Sequence, residues 1–544
     1  MYWPDKLAAE IKEKYKDVIA SKKPLIIRDE KTASGRVHVG SLRGVSIHGI
    51  VADVLEEEKI PYTYLFEIND FDPMDGLPVY LDEKIFTEYL GRPLCDVPSP
   101  SPETNNDPSS QYLPVAKNFA EYYAQEFTQV IKSIGFNPEI YRSSDLYKRG
   151  DYNHAIQLTL KNADKIREIY KRVSGSVKEG KWLPVNVVCE KCGKVSTTVA
   201  EDFTTGGKGE YPEIVHYICR DLDWTNGCGH KGSLSPYDGR AKLPWKLEWA
   251  AKFKIIGVHV EGGGKDHSTK GGSRDVAETI SREIFNHEPP YNIPYEFFNI
   301  AGKKMSSSKG RGSFSKDIAD LLPAEIVRLL MLQKEPQRVI EFDPEGDTVA
   351  ILFDTYDKFA TGFFAGDTTD YSRMFKLIHP KDVRVDIKER ALPRFSQIAF
   401  LSQMRHLDIE KEAEHLVGRP LNDADKAELK KRLHYAQVWI DTYAPENYQF
   451  AIQEKLPEAA KNLSEIQKKA LGLVLEYIKS VKTIDGQEMH TKLHEIKEST
   501  QINPKEFFEA MYVSVLGKPS GPKAGWFLSV IDRDFLIKRF EEVI

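Results

Sequence analysis

The sequence predicts an α/β fold: a parallel sheet covered by helices, interrupted by a small cysteine-rich module and followed by an all-α half. Three observations predict it. Apolar strand-like runs alternate with helical periods from Leu25 onward, the pattern of a parallel sheet with helical crossovers. Four of the five cysteines fall between Cys189 and Cys228, in a Gly-frequent stretch where the helical period lapses. Beyond Leu321, strand signals become scarce and amphipathic runs dominate.

Leu25-Ile26-Ile27 reads as the first strand. It leads through Thr32-Ala33-Ser34-Gly35 into His38-Val39-Gly40-Ser41, after which Leu42, Val45, Val51, Val54 and Leu55 recur at helical spacing. Tyr62 to Ile68 is the second strand. Pro98 to Pro114 is rich in Pro, Ser and Asn without apolar period and reads as an exposed loop. Val115, Phe119, Tyr122, Phe127, Val130 and Ile134 mark a helix stopped by Gly135. After the cysteine module, Ile255 to Val260 and Phe297 to Ile300 resume the strand pattern, so the module interrupts the sheet domain. In the last part, Ala424 to Tyr443 and Ser464 to Val481 are the clearest amphipathic helices. The expected division is 1–181 for the first part of a Rossmann-type catalytic domain, 182–243 for the inserted module, 244–320 for its second part, and 321–544 for a helical region.

At 544 residues with 41% hydrophobic content, the chain has length and apolar mass for several cores. Its 76 basic and 82 acidic residues leave a net charge of −6, so a polyanionic partner must meet a local basic surface. No apolar run approaches the ~20 residues of a membrane span, and no basic start precedes an apolar N-terminal segment. The expectation is a cytoplasmic protein that does not engage a membrane. Cys189-Glu190-Lys191-Cys192 with Cys219 and Cys228 suits tetrahedral Zn²⁺ better than a disulfide framework, and His216 or His230 could replace one thiol. The site reads as structural.

Two motifs carry the chemistry. His38 to Ser41 sits at a strand–turn–helix junction, where Gly35 and Gly40 permit close approach of backbone to ligand and the helix start favours a phosphate. His38, donating to the α-phosphate, would act more strongly in the transition state than in the ground state. Far downstream, Lys304-Met305-Ser306-Ser307-Ser308-Lys309-Gly310 places two lysines around three serines in a glycine-flanked loop, suited to the β- and γ-phosphates of ATP. Together they predict adenylyl transfer from ATP.

The pair resembles the HIGH and KMSKS signatures of class I aminoacyl-tRNA synthetases. Pro244-Trp245-Lys246-Leu247-Glu248-Trp249, Gly262-Gly263-Gly264-Lys265-Asp266-His267, Pro294-Tyr295-Glu296-Phe297 and Leu516-Gly517-Lys518-Pro519-Ser520-Gly521-Pro522 resemble the class I lysyl-tRNA synthetase family. The resemblance implies a ligase that converts L-lysine and ATP, with Mg²⁺, to lysyl-adenylate and pyrophosphate, then esterifies the 3′-terminal ribose of tRNA(Lys). It implies ATP contacts from Gly35, His38, Gly40, Ser41, Gly263, Gly264, Lys304, Ser306, Ser307, Ser308 and Lys309, with His38, Ser41, Lys304 and Lys309 as the catalytic set. Lysine or adenylate contacts fall to Thr32, Asp72, Trp249, Asp266, His267 and Tyr295, and residues 321–544 to a connector and a helical anticodon-binding region of a monomer. The fourth place of the second signature, usually Lys, is Ser307 here, and Lys309 stands two places on. Glu30-Lys31 departs from the small residues often found before Thr32.

A lysine side chain calls for a carboxylate at the end of an aromatic-walled pocket, with cation–π contacts adding about 0.5–2 kcal/mol. Asp266, Asp70, Asp72 and Glu261 are candidate acids, and Trp245, Trp249 and Tyr295 candidate walls; the sequence does not choose among them. Trp439, Tyr443 and Tyr448 are candidate stacking aromatics in the helical half, where anticodon bases would be read. Competing readings are a class I synthetase for glutamate, cysteine or arginine, a small-molecule adenylyltransferase, and an RNA-binding paralogue without catalysis.

Overall fold

The computed structural model describes residues 2–107, 116–300, 303–304, 314–404 and 407–544. Ser306, Ser307, Ser308, Lys309, Val115 and the end of the Pro98 to Pro114 stretch lie outside the described residues, as does the side chain of Lys304. The chain divides into two compact units, Met1–Phe342 with Lys358–Ile387, and Asp343–Asp357 with Lys388–Ile544.

The first unit is built on a parallel sheet. Strands β1 (Leu25–Lys31), β2 (Tyr62–Ile68) and β3 (Glu139–Arg142) lie in that order, with Leu25 opposite Tyr62 and Leu65 opposite Glu139. On the free side of β1, Ile27 pairs in parallel with Val260, and Val260 with Tyr291. The same two segments pair again at β4 (Gly263–Gly264) and β5 (Pro294–Tyr295). The sheet therefore runs β3-β2-β1-β4-β5, all parallel, and chain order reverses between β1 and β4. Parallel neighbours need crossovers. Helix α1 (Ser41–Glu57) links β1 to β2 and helix α2 (Phe119–Ser133) links β2 to β3. Every residue of α1 from Leu42 to Leu55 is buried, as befits a helix covered on all sides.

Ile255 to Val260, expected as a strand, is extended only at its end. Helix α3 (Trp245–Lys252) runs directly into a π-helical turn, Phe253–Gly257, closed by the Val258 amide on the Phe253 carbonyl at 3.0 Å and left through Gly257 at φ +73°. A short apolar run has the same composition in either state, and the preceding helix decides here. Phe298–Ile300 does form a strand, parallel to Ile340–Phe342 and antiparallel to Lys303–Lys304.

The cysteine stretch is a three-stranded antiparallel meander, Thr198–Thr205, Glu213–Cys219 and Lys231–Leu234. Asn186–Val187 pairs with Ala241–Lys242, so the chain leaves and re-enters the sheet domain at one place.

The second unit is helical. Asp423–Thr442 and Glu465–Ser480 both begin with reciprocal capping boxes, Asn422 with Asp425 and Ser464 with Gln467. Trp439, a candidate RNA-stacking residue, is instead a core residue: it is fully buried, and its indole N–H donates to the Pro344 carbonyl at 2.9 Å.

Buried Asp53 on α1 accepts from Arg328 at 2.8 Å and Arg384 at 2.6 Å, with Lys381 at 3.3 Å, clamping α1 to two later segments. Removing the one buried acid that pairs with both Arg328 and Arg384 leaves Arg384 only the more distant, half-buried Glu57 at 3.8 Å and takes from Arg328 the carboxylate it pairs with. Asp53→Ala should cost about 3–5 kcal/mol, read as a lowered urea midpoint for the first unit's transition.

Candidate active site

A cleft of about 350 Å³ opens where the strand order reverses, the place at which open α/β sheets hold ligands. Thr32, His38, Gly40, Ser41, Trp249, Gly263, Gly264, Asp266, His267 and Tyr295 all line it. Segments remote in sequence meet there because β1, β4 and β5 are neighbours. Two expected residues stand elsewhere. Gly35 lies beneath Tyr80, whose hydroxyl would be 2.9 Å from a Cβ at that position. Asp72 lines an adjoining cavity of about 620 Å³ that shares Glu30, Thr32, Trp245 and His267 with the cleft. Its oxygens accept from Thr32 Oγ1 at 2.7 Å and pair with Lys242 at 2.9 Å.

The segment that follows the Lys304 to Gly310 loop reaches the first motif. Phe314 bridges to His38, and the Ser315 amide donates to the Val37 carbonyl at 2.8 Å. The Ser315 hydroxyl reaches the Val37 and His38 carbonyls at 2.9 and 3.1 Å. Arg36 lies 4.1 Å over the Phe314 ring and pairs with Glu126 and Asp317. On the loop's other flank, Lys303–Lys304 pairs with the Asn299–Ile300 strand. At the helix start the Ser41, Leu42 and Arg43 amides are already spent, donating to the His38, Val39 and Gly40 carbonyls. Side chains and the dipole of α1, rather than a row of free N–H groups, are what this turn offers an anion.

The glycine run of β4 is set by close contact. The Gly262 amide donates to His48 Nε2 at 2.7 Å, and His48 Nδ1 lies 2.8 Å from the Gly44 carbonyl and 3.2 Å from Asp29. A ring nitrogen that accepts carries no proton, so this arrangement puts the ring proton on Nδ1, although, against the effect of burial, the Asp29 carboxylate raises the ring's pKa above its usual value. A Cβ on Gly262 would lie 2.4 Å from the Ile293 carbonyl oxygen.

Beneath the cleft runs a ladder of buried charge. Arg28, fully buried, pairs with Glu30, with Glu67 at 2.9 Å and with Glu261 at 2.9 Å. Lys252 pairs with Glu30 at 2.8 Å, Glu67 at 2.5 Å and Glu248 at 3.6 Å. Lys242 joins Glu248 to Asp72. Burial alone would raise the Glu30 carboxyl, but Lys252 and Arg28 hold it well below the usual range. Burial pushes Glu248 up despite Lys242 and Lys252. Glu30 thus serves the ladder, while Lys31 lines the cleft with its ammonium lowered by burial. Arg28, Lys242, Lys252 and His48 were not identifiable from sequence, since they come from separate segments with no shared spacing.

Asp70, another candidate acid, is engaged by both Ser143 and Ser144 hydroxyls and by the Ser144 amide. Trp245 and Trp249 stack at 6.1 Å, and His267 meets both edge-on.

In the meander, the sulfur atoms of Cys189, Cys192, Cys219 and Cys228 all lie within 4.8 Å of one another. Cys189 and Cys228 are 3.6 Å apart, Cys192 and Cys219 3.7 Å. His216 is bound to Ser233 and Thr204 instead, so the cluster is four thiols.

A family model described as tRNA synthetases class I (K) matches residues 1–381, and one described as an anticodon binding domain matches residues 427–544. A lysine–tRNA ligase of Methanosarcina barkeri is 32% identical across 100% of this chain and 97% of its own length. A lysine–tRNA ligase of Archaeoglobus fulgidus is 30% identical across the whole of both chains. Among solved structures, a glutamate tRNA ligase from Elizabethkingia meningosepticum covers 96% of this chain at 12% identity with a TM-score of 0.43, too loose a likeness to compare sites.

Gly262→Ala should drive β4 away from β5 and cost about 2–4 kcal/mol, since the clash is with backbone. A drop in the urea midpoint would register it; an unchanged midpoint would mean the strands yield freely.

Proposed function

Because the chain belongs to the tRNA synthetases class I (K) family, we propose that its cleft forms lysyl-adenylate from lysine and ATP and passes lysine to tRNA. The protein is an aminoacyl-tRNA ligase for lysine, related over full length to lysine–tRNA ligases at about 30% identity. The observation that supports the mechanistic reading is that the His38 turn and the glycine run at Gly263-Gly264 line one cleft, while Phe314, just after the Lys304 loop, bridges to His38.

In this reading lysine's carboxylate oxygen attacks the α-phosphorus of ATP. The bond to the bridging oxygen breaks, and pyrophosphate leaves with the electron pair. His38 and Ser41 stabilise charge growing on the α-phosphate oxygens, while Lys304, Ser306, Ser307, Ser308 and Lys309 take the departing phosphates. Gly263 and Gly264 admit the adenine, and Trp249, His267 and Tyr295 frame the amino acid with Thr32 and Asp266. Asp72 supports Thr32 through its hydrogen bond. Mg²⁺ bound with ATP supplies charge neutralisation to the leaving group. The 3′-terminal ribose hydroxyl of tRNA(Lys) then attacks the lysyl carbonyl, and AMP leaves. We assign the anticodon to the helical region within 321–544 and the action to a cytoplasmic monomer.

We assign Zn²⁺ to the four thiols of the 182–243 module. A tetrahedral Zn–S₄ site with ~2.3 Å bonds has sulfur–sulfur edges of about 3.8 Å, and the two closest pairs stand at 3.6 and 3.7 Å. The metal would be structural, holding a meander too small for a core of its own.

Lysine-dependent pyrophosphate exchange tests the function. Exchange with glutamate, cysteine or arginine but not lysine would overturn it. Lys309→Ala should depress adenylate formation at least about 10²-fold with lysine affinity little changed; equal losses would remove the assigned role. Metal analysis should find one zinc per chain, lost in Cys192→Ser together with thermal stability.

A further inference from the structure

Which acid meets the substrate's side chain is open in the sequence but constrained in the structure. Asp70 is saturated by Ser143 and Ser144. Asp72 is divided between Thr32 and Lys242. Asp266 is exposed, where water screens a charge pair. Glu261 differs from all three. It lines the cleft and is 2% exposed. Its Oε1 takes both the Trp249 indole N–H and the Arg28 guanidinium, while its buried Oε2 has no hydrogen-bond partner. A buried carboxylate oxygen without a donor is costly, and a ligand that brings one is favoured accordingly.

The charge balance agrees. In the ladder, Glu30, Glu67, Glu248, Glu261 and Asp72 outnumber Arg28, Lys242 and Lys252 by two. The site as built has an excess of negative charge, fitted to a cationic guest. The Trp249 indole that orients Glu261 also forms the cleft wall, so the carboxylate stands at the end of an aromatic surface suited to an alkyl chain ending in ammonium. Glu296 also lines the cleft with an unpartnered oxygen, but it has Lys265 at 2.7 Å to itself, whereas Arg28 divides its charge among Glu261, Glu30 and Glu67, and its side chain is 18% exposed, against 3% for Glu261.

We propose that Glu261 is the specificity residue that binds the side-chain ammonium of the lysine substrate through Oε2, positioned by Trp249 and Arg28. This rests on the function proposed above; absence of lysine-dependent exchange in the unaltered protein would defeat that function rather than this assignment.

The test uses the full chain and two analogues as inhibitors of lysine-dependent exchange: 6-aminohexanoate, which lacks the α-amino group, and norleucine, which lacks the side-chain ammonium. Glu261→Gln keeps the shape and removes the charge. It should weaken lysine and 6-aminohexanoate about 10²-fold while norleucine and ATP stay within about twofold. Loss confined to lysine and norleucine would place the α-ammonium at Glu261 and overturn the proposal. Equal loss for every ligand, ATP included, would make the residue merely structural and overturn it too, as would no loss at all. Should Glu261→Gln fail to fold for want of a partner to Arg28, Glu261→Asp keeps the charge and must still weaken 6-aminohexanoate more than norleucine. Glu296→Gln must leave lysine affinity unchanged, and a selective loss of lysine there would overturn the assignment.

Discussion

The site depends on one crossing in the sheet: Val260 lies in parallel between Ile27 and Tyr291. That insertion makes the end of β1, the Glu261 to Gly264 stretch and the Pro294–Tyr295 strand neighbours, although well over two hundred residues separate the first from the others. Parallel pairing forces every intervening helix and module to be looped out. The carboxyl ends of the central strands therefore form an uncovered edge, and chemistry collects there. The His48–Gly262 hydrogen bond and the 2.4 Å that separates a notional Gly262 Cβ from the Ile293 oxygen show how closely this crossing is packed.

The second constraint is electrostatic. Placing Arg28, Lys242 and Lys252 under the cleft costs desolvation, and nearby carboxylates offset it. Such a ladder adds little to stability compared with an apolar core of equal volume, so its value lies elsewhere. It fixes the orientation of the carboxylates, and it leaves their number in excess. Glu30, which looked out of place before Thr32, is explained by this arrangement: it is the shared counter-ion of two buried cations, even though it also lines the cleft. Lys31, the next residue along the strand, lines the cleft as a basic group among several acids.

The His38 turn and the segment that follows the Lys304 loop are joined in the structure. The segment after the Lys304 loop is fastened to the His38 turn by a β-bridge, by the Ser315 hydroxyl and by Arg36, which grips both Asp317 and the Phe314 ring. The cysteine module is anchored differently, by the short pairing of Asn186–Val187 with Ala241–Lys242, which delivers Lys242 straight into the ladder.

By itself the sequence showed most element types of the sheet domain, the strand–turn–helix junction at His38 and the clustering of four cysteines, because these are local: strand and helix periods, glycine turns and a C-x-x-C spacing are written in short windows; that His216 is not part of the cluster needed the fold. The sequence misread Ile255 to Val260, since an apolar run carries no sign of the helix it continues, and it could not decide whether Trp439 stacks or packs, since its burial depends on Pro344 coming close from a distant segment. Gly35 was legible as a special backbone position but not that Tyr80 lies over it. Only the tertiary structure decided which acids are spent and which is open, because a carboxylate's role follows from its neighbours in space. Asp70, Asp72 and Glu261 are the same chemical group, and they are told apart by the serines around the first, the lysine beside the second and the unpartnered oxygen of the third.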